Sequence, residues 1–112
     1  MQNIIISGHA TSYPITSIIG DDTVTRIDVA VSNPRQADKP LIYRVECWNQ
    51  LGFHVTDHVM PGDFIIVTAA DLQVNPYINQ EGQPDAELVL LALDVDCSQI
   101  QRSDDDYVGI FG

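Results

Sequence analysis

Hydrophobic and polar positions alternate along most of this chain, which is the pattern of β-strands that bury one face. Turn-forming residues separate five such runs, at residues 3–11, 23–32, 41–48, 64–73 and 86–97. Between the third and fourth runs the period changes, because Leu51, Val55 and Val59 recur every four residues. This spacing predicts an amphipathic helix of about three turns, with Asn49 as its N-cap.

Three strands, one helix and two further strands are the element order of a five-stranded OB-fold, an all-β Greek-key barrel with a helix between strands 3 and 4. Another small β-barrel, such as an SH3-like one, is the alternative, but it rarely places a helix at this point. Pro76 predicts that the continuation of the fourth strand is either a sheet edge or an arm that leaves the main sheet. We therefore expect an OB-fold domain over residues 1–98 and a short acidic and apolar tail over 99–112.

Period two also assigns the faces of the strands. In the third run it predicts two faces: Tyr43, Val45 and Cys47 on one, and Ile42, Arg44, Glu46 and Trp48 on the other. In the last run it groups Val89, Leu91, Leu93 and Val95, which leaves Leu88 and Leu90 as apolar outer positions. Apolar outer positions on a small barrel favour a homo-oligomer, and we expect Ile4 or Ile6 of the first strand in its interface.

Composition narrows the classes of function. The chain carries 16 acidic and five basic residues, a net charge of −11 that repels polyanions and anionic membranes at long range. No membrane span or signal peptide is expected. Cys47 and Cys97 lie in apolar strands and predict free thiols in a reducing compartment, hence a cytoplasmic location.

Motifs of catalysis are missing from the sequence, which has no phosphate-binding loop, nucleophile elbow or Cys-x-x-Cys. His54 and His58 are four residues apart, a spacing that can hold a metal, but no further ligand lies near them in sequence. We therefore expect no enzyme activity, no metal and no cofactor.

Five segments, taken in order, carry a family resemblance: 3–8 (NIIISG), 27–32 (IDVAVS), 43–51 (YRVECWNQL), 59–63 (VMPGD) and 77–83 (YINQEGQ). Together they resemble the bacterial single-stranded DNA-binding proteins, of which this chain looks like a divergent, acidic member. That family stacks bases on aromatic side chains and contacts the backbone with basic ones. The resemblance thus implies a single-stranded DNA-binding protein, with a part in DNA replication and repair and an assembly of dimers that pair into tetramers.

The resemblance also implies particular site residues. Trp48 and Tyr77 stand at family aromatics, and Arg35 and Ile42 stand where enterobacterial members have tryptophan. Arg44 shares the face of Trp48 by parity and is a candidate phosphate contact. Because Met60-Pro61 replaces a basic pair and few cations remain, we expect modest affinity for DNA or RNA.

The C-terminal tail resembles the acidic tip with which that family recruits replication and repair partners. The expected partner-binding residues are Asp104, Asp105, Asp106, Ile110 and Phe111. Gly112 follows Phe111, which moves the terminal carboxylate away from the ring. One alternative to DNA binding remains, namely an OB-fold interaction or assembly subunit that has lost it, and the charge balance favours this second function.

Overall fold

The computed structural model describes residues 3–97. Its elements, in chain order, are β1 (Ile4–Ala10), β2 (Ile15–Ile19), β3 (Asp22–Val31), β4 (Leu41–Trp48), α1 (Gln50–His58), β5 (Phe64–Ile78) and β6 (Pro84–Asp96). The expected fold is confirmed: an all-β OB-type barrel with one short helix between β4 and β5. The predicted tail of residues 99–112 lies outside the described residues.

The strand count is six instead of five, because the sequence pattern missed β2. Both β1 and β2 pair antiparallel with β3, through Ala10 opposite Val29 and Ile15 opposite Arg26. They are therefore two halves of one long first strand, interrupted near Pro14, whose nitrogen cannot donate to a ladder. Alternation of hydrophobic and polar residues does not reveal β2, because its isoleucines are exposed and neither face of the strand is buried.

Pairing between distant strands closes the barrel. The sheet order is β1-β5-β6-β4-β3-β2, and an additional β1–β3 pairing joins the two sides. β4 and β6 pair in parallel, with Val45 opposite Leu90, while all other pairs are antiparallel. At the closure a Cβ on Gly8 would collide with the carbonyl oxygen of Ala30, so the close approach of the two strands requires glycine here.

The helix covers one end of the barrel, as expected. Val55 and Val59 are fully buried and Leu51 packs against the same core, although Val59 lies one residue beyond the helix end. Gly52 faces β3 and β4, where a Cβ would lie 2.6 Å from Thr25 Oγ1 and 2.7 Å from the Cys47 carbonyl oxygen. The helix can therefore approach the sheet this closely only at a glycine.

Asn49 has a different role from the one predicted. Its side chain makes no cap hydrogen bond to the helix. Instead, Asn49 Oδ1 accepts from the Thr23 main-chain nitrogen at 3.0 Å and Nδ2 donates to Asp22 Oδ1 at 3.1 Å. Asn49 thus ties the start of the helix to the β2–β3 turn, and its backbone has a positive φ of 53°, which is uncommon for a residue other than glycine.

The face assignment of β6 was wrong over half its length. Leu90 is fully buried and Ala92 nearly so, whereas Leu91 and Leu93 are exposed. The pairing with β5 shifts register around Ala69, so an extra residue on β6 returns Val95 to the interior. A bulge adds one residue to a period of two, so alternation alone cannot predict which residues face the interior on both sides of a bulge.

Beyond the barrel, β5 and β6 continue as a two-stranded arm. β4 pairs with β6 only between Leu88 and Leu91, while the β5–β6 ladder runs on to Ile78 opposite Pro84. Pro76 lies opposite Ala86 in this arm, which is one of the two alternatives that its sequence position predicted. The arm ends in a turn whose Gly82 has a positive φ of 76°.

Candidate functional site

The outward side chains of β3, β4, β6 and β5 form a continuous surface, which we call the outer sheet face. On β4 it is formed by Ile42, Arg44, Glu46 and Trp48, as the alternation predicted. The residues between them point inward, and Val45 and Cys47 are fully buried. Registers place Asp28 beside Arg44 on one side and Val89 beside it on the other. The sheet thus presents the predicted residues of β4 on one face.

Tyr77, on the arm, meets the predicted β4 residues at one end of this face. It lines a cleft of about 400 Å³, here named the tyrosine cleft, formed by Asp28, Ile42, Arg44, Tyr77, Ala86, Glu87 and Leu88. The Tyr77 side chain is 49% exposed. The structure therefore brings together three of the five predicted binding residues, from segments far apart in sequence.

Trp48 lies at the other end of the outer sheet face. It is half-buried and lines a second cleft of about 370 Å³, the tryptophan cleft, formed by Glu46, Trp48, Asp71, Gln73, Val89 and Leu91. The two aromatic residues thus occupy separate clefts on one face. An extended ligand could contact both only by following the sheet from the barrel toward the arm.

Both arginines of the outer sheet face are held by carboxylates. Arg44 donates from Nη1 to Glu87 Oε2 at 2.9 Å and from Nε to Asp28 Oδ1 at 3.4 Å. Arg26 donates from Nε to Glu46 Oε2 at 3.4 Å. With Asp71 also present, the face carries more negative than positive charge, so a phosphate must compete with protein carboxylates for Arg44.

The remaining predicted residue lies apart from these clefts. Arg35 is in the exposed 32–40 loop, where its main-chain nitrogen donates to Asn33 Oδ1 at 3.0 Å. Lys39 of the same loop lines a third cleft, together with Ile42 and Tyr77. Within residues 3–97, Arg35 and Lys39 are the two basic side chains outside any ion pair. Asp104, Asp105, Asp106, Ile110 and Phe111 lie outside the described residues.

The alternation had placed Glu46 on this face but had not indicated the other acidic members of the site. Asp28 could have been found from its parity with Arg26, but Glu87 and Asp71 join the site only through strand pairing. The expectation that Leu90 is an apolar outer position was wrong, since it is fully buried. Ile4 and Ile6 pack against the chain's own core, and Ile5 between them is 68% exposed.

The cysteines and the helix histidines of residues 3–97 do not line the two clefts. Burial raises the pKa of the Cys47 thiol to about 12, with Glu46 as a smaller cause, so this thiol stays protonated and unreactive. Cys47 forms no disulfide. His54 and His58 are exposed, with ring centroids 4.6 Å apart. Over residues 3–97, no group of three His, Cys, Asp or Glu side chains could hold a metal ion, and no helix could span a membrane.

Three solved structures that share this fold are single-stranded DNA-binding proteins or domains. The small single-stranded DNA-binding protein of Streptomyces coelicolor matches with a TM-score of 0.71 and 17% identity, over 88% of this chain and 94% of its own. The SSB domain of a Synechococcus sp. protein matches at 0.65 and 15%, over 85% and 93%. The second such protein, SSBb, of Mycobacterium smegmatis matches at 0.63 and 20%, over 92% and 97%.

Comparison of the sequence, by contrast, gives no match. No protein-family model matches the chain, and no curated protein does either. The structural similarity therefore establishes that the chain has the OB-fold seen in these single-stranded DNA-binding proteins, at a sequence identity of 15–20%.

Proposed function

We propose that this protein binds single-stranded DNA by stacking bases on Trp48 and Tyr77, and that this binding does not require a particular DNA sequence motif. The observation that carries the proposal is the position of these two aromatic side chains on one outer face of an OB barrel. In OB-folds this face, with the loops beside it, is the usual surface for oligonucleotides. Binding of this kind would serve DNA replication or repair.

Stacking supplies most of the binding free energy in this proposal. Each stacked base contributes on the order of 1–3 kcal/mol, and every base has a ring face to offer. Ile42 lies in the same cleft as Tyr77 and extends the apolar floor on which a base can rest. Two stacking positions support modest affinity when few phosphates are neutralised.

Only a few basic side chains can contact the phosphates in this proposal. Lys39 lines a cleft together with Ile42 and Tyr77, and Arg35 lies in the same exposed loop. Neither has an ion-pair partner within residues 3–97. Arg44 contributes only where a phosphate displaces Asp28 or Glu87. With two or three contacts, the slope of log affinity against log salt is about −1.5 to −2 per protomer.

The test is a titration of Trp48 emission, because Trp48 is the single tryptophan of the chain. A mixed-sequence oligodeoxynucleotide of about 35 nucleotides, long enough for several stacking positions, is added at low salt. We expect quenching and a mobility shift, with the shallow salt slope given above. Absence of both at tens of micromolar protein would refute DNA binding, and an RNA oligomer of the same sequence measures the preference for DNA.

A second candidate is an OB-fold assembly subunit without nucleic-acid binding. It is favoured by the carboxylates that occupy Arg26 and Arg44, and by exposed apolar side chains on β2, where Ile15, Ile18 and Ile19 face solvent. Both candidate functions include a homo-oligomer, either a dimer or a tetramer. In its interface we expect the exposed side chain of Ile5 on β1, instead of Ile4 or Ile6. Light scattering that reports only the 12.4 kDa monomer at micromolar concentration would refute the oligomer.

A further inference from the structure

Each aromatic residue of the outer sheet face is flanked by two carboxylates. Asp28 and Glu87 line the tyrosine cleft with Tyr77, and Glu46 and Asp71 line the tryptophan cleft with Trp48. A base stacked on either ring would therefore have acidic side chains at its edge. The sheet provides this arrangement twice, with different strands supplying the acids.

The acids of the tyrosine cleft are held in place and accessible. Arg44 binds Glu87 Oε2 and Asp28 Oδ1, and Asn75 Nδ2 donates to Glu87 Oε1 at 3.4 Å. The side chains of Asp28 and Glu87 remain 33% and 38% exposed. An ionised carboxylate has about four acceptor positions, so these contacts leave room for a further donor from a ligand.

The chemistry of the base edges decides what such a site accepts. An ionised carboxylate only accepts hydrogen bonds, and Asp and Glu pair with the amino group of cytosine. Adenine and guanine also carry amino donors, whereas thymine presents a carbonyl oxygen where cytosine has its amino group. A carboxylate beside the ring thus attracts the cytosine edge and repels the corresponding thymine oxygen.

The same charges orient the strand. Phosphates are repelled from the four acids and attracted to Lys39, which lines a cleft with Ile42 and Tyr77 at one end of the face, and to Arg35 of the same 32–40 loop. Bases then point toward the sheet and the backbone lies along its edge. In this orientation the acids act on base edges and not on phosphates.

We propose that the outer sheet face prefers single strands whose bases carry exocyclic amino groups, cytosine above thymine, and that Asp28 and Glu87 set this preference. The inference rests on the proposed function and specifies its ligand. Stacking alone gives only modest preferences, governed by ring overlap and backbone flexibility. A preference that follows the amino group therefore separates hydrogen-bond recognition from stacking.

The experiment compares fluorescein-labelled oligodeoxycytidine and oligothymidine of about 35 nucleotides by fluorescence anisotropy, at about pH 8 where cytosine runs stay single-stranded. We expect the unmodified protein to bind the cytidine strand about fivefold more tightly, the low end of what one such contact provides. In the Asp28→Asn, Glu87→Gln double variant both strands should bind more tightly, because the amides carry no charge. The ratio should fall toward one, because an amide can also donate to thymine.

Asp57→Asn is the control, since it removes one acidic charge from an exposed position on α1, away from the clefts. It should leave the ratio unchanged. Equal affinities for the two strands, or a thymidine preference, would overturn the inference while the proposed function stands. A ratio that survives the double variant would also overturn it, because other groups would then read the base. If neither of these strands nor the mixed-sequence oligomer binds, the proposed function itself has failed.

Discussion

The two faces of β4 follow different physical rules. The inner face, with Val45 and Cys47, is fully buried and packs against the apolar side chains of the other strands. The outer face, with Arg44, Glu46 and Trp48, is half-exposed and joined to its neighbours by ion pairs. On the inner face the effect of a substitution depends on side-chain volume, because protein interiors are close-packed. On the outer face it depends on charge and on stacking. Substitutions should therefore separate cleanly into those that change stability and those that change binding.

The largest expected effect tests the interior at its tightest point. Gly52→Val puts side-chain atoms against Thr25 and the Cys47 carbonyl, where a Cβ alone would lie 2.6 and 2.7 Å away. Overpacking against backbone should cost about 3 kcal/mol of unfolding free energy or more. Urea denaturation measures it, and His54→Val, exposed on the same helix, is the control. Equal stability of the two variants would show that the helix can move away from the sheet.

A pair of adjacent leucines on β6 tests whether the bulge assigns the faces correctly. Leu90→Ala removes a fully buried side chain and should cost about 2–5 kcal/mol of unfolding free energy. Leu91→Ala changes a side chain that is 38% exposed and should cost well under half as much. Thermal or urea unfolding of both variants gives the comparison. A larger loss for Leu91→Ala would restore the face assignment that simple alternation predicts.

On the outer face, Trp48→Ala should weaken binding of a single strand by about 1–3 kcal/mol. Trp48→Phe keeps a ring and should recover most of that loss. Both substitutions remove the tryptophan fluorophore, so the affinity is measured by the fluorescence anisotropy of a labelled oligonucleotide. Circular dichroism checks that each variant is folded. If Trp48→Ala and Trp48→Phe bind equally well, stacking on residue 48 does not contribute.

The pH dependence of stability reports on the inner face of β4. Unfolded Cys47 ionises near its ordinary pKa of 9.0, whereas the folded thiol has a pKa of about 12, so its contribution is fully present below pH 9. That contribution is lost as pH rises between these values, by about 1.4 kcal/mol per unit. The stability difference between the native chain and Cys47→Ala should therefore shrink between about pH 8 and about pH 10. A constant difference would contradict the assigned burial.

The smallest effect concerns the cation at the centre of the outer face. Arg44→Gln removes a cation and leaves Asp28 and Glu87 unneutralised, so binding of every sequence should weaken by about threefold and the salt slope should become shallower by about 0.7. Arg26→Gln is the matched comparison for the slope, because it also removes a cation and leaves an acid, Glu46, unneutralised, but Arg26 itself lines neither cleft. Affinity measured across a salt series decides between them. Identical slopes for the two variants would place the phosphate contact elsewhere.

Local sequence determined much of this protein. The period-two runs located β1, β3, β4, β5 and β6, because burying one face of a strand requires alternation. The period of four located the helix, and parity correctly separated Arg44 and Trp48 from Val45 and Cys47. These features depend on residues within a few positions of one another, so they can be read from a single segment.

Tertiary structure decided what depends on pairing between distant segments. The bulge between β5 and β6 reversed the face of Leu90, the β2–β3 turn engaged Asn49, and parallel pairing of β4 with β6 brought Glu87 to Arg44. A register between strands is set by the packing of the whole barrel, and a one-residue shift moves every side chain to the other face. The sequence, through parity and the family resemblance, therefore indicated the two aromatic residues and Glu46, whereas only the folded barrel could bring Asp71 and Glu87 beside them.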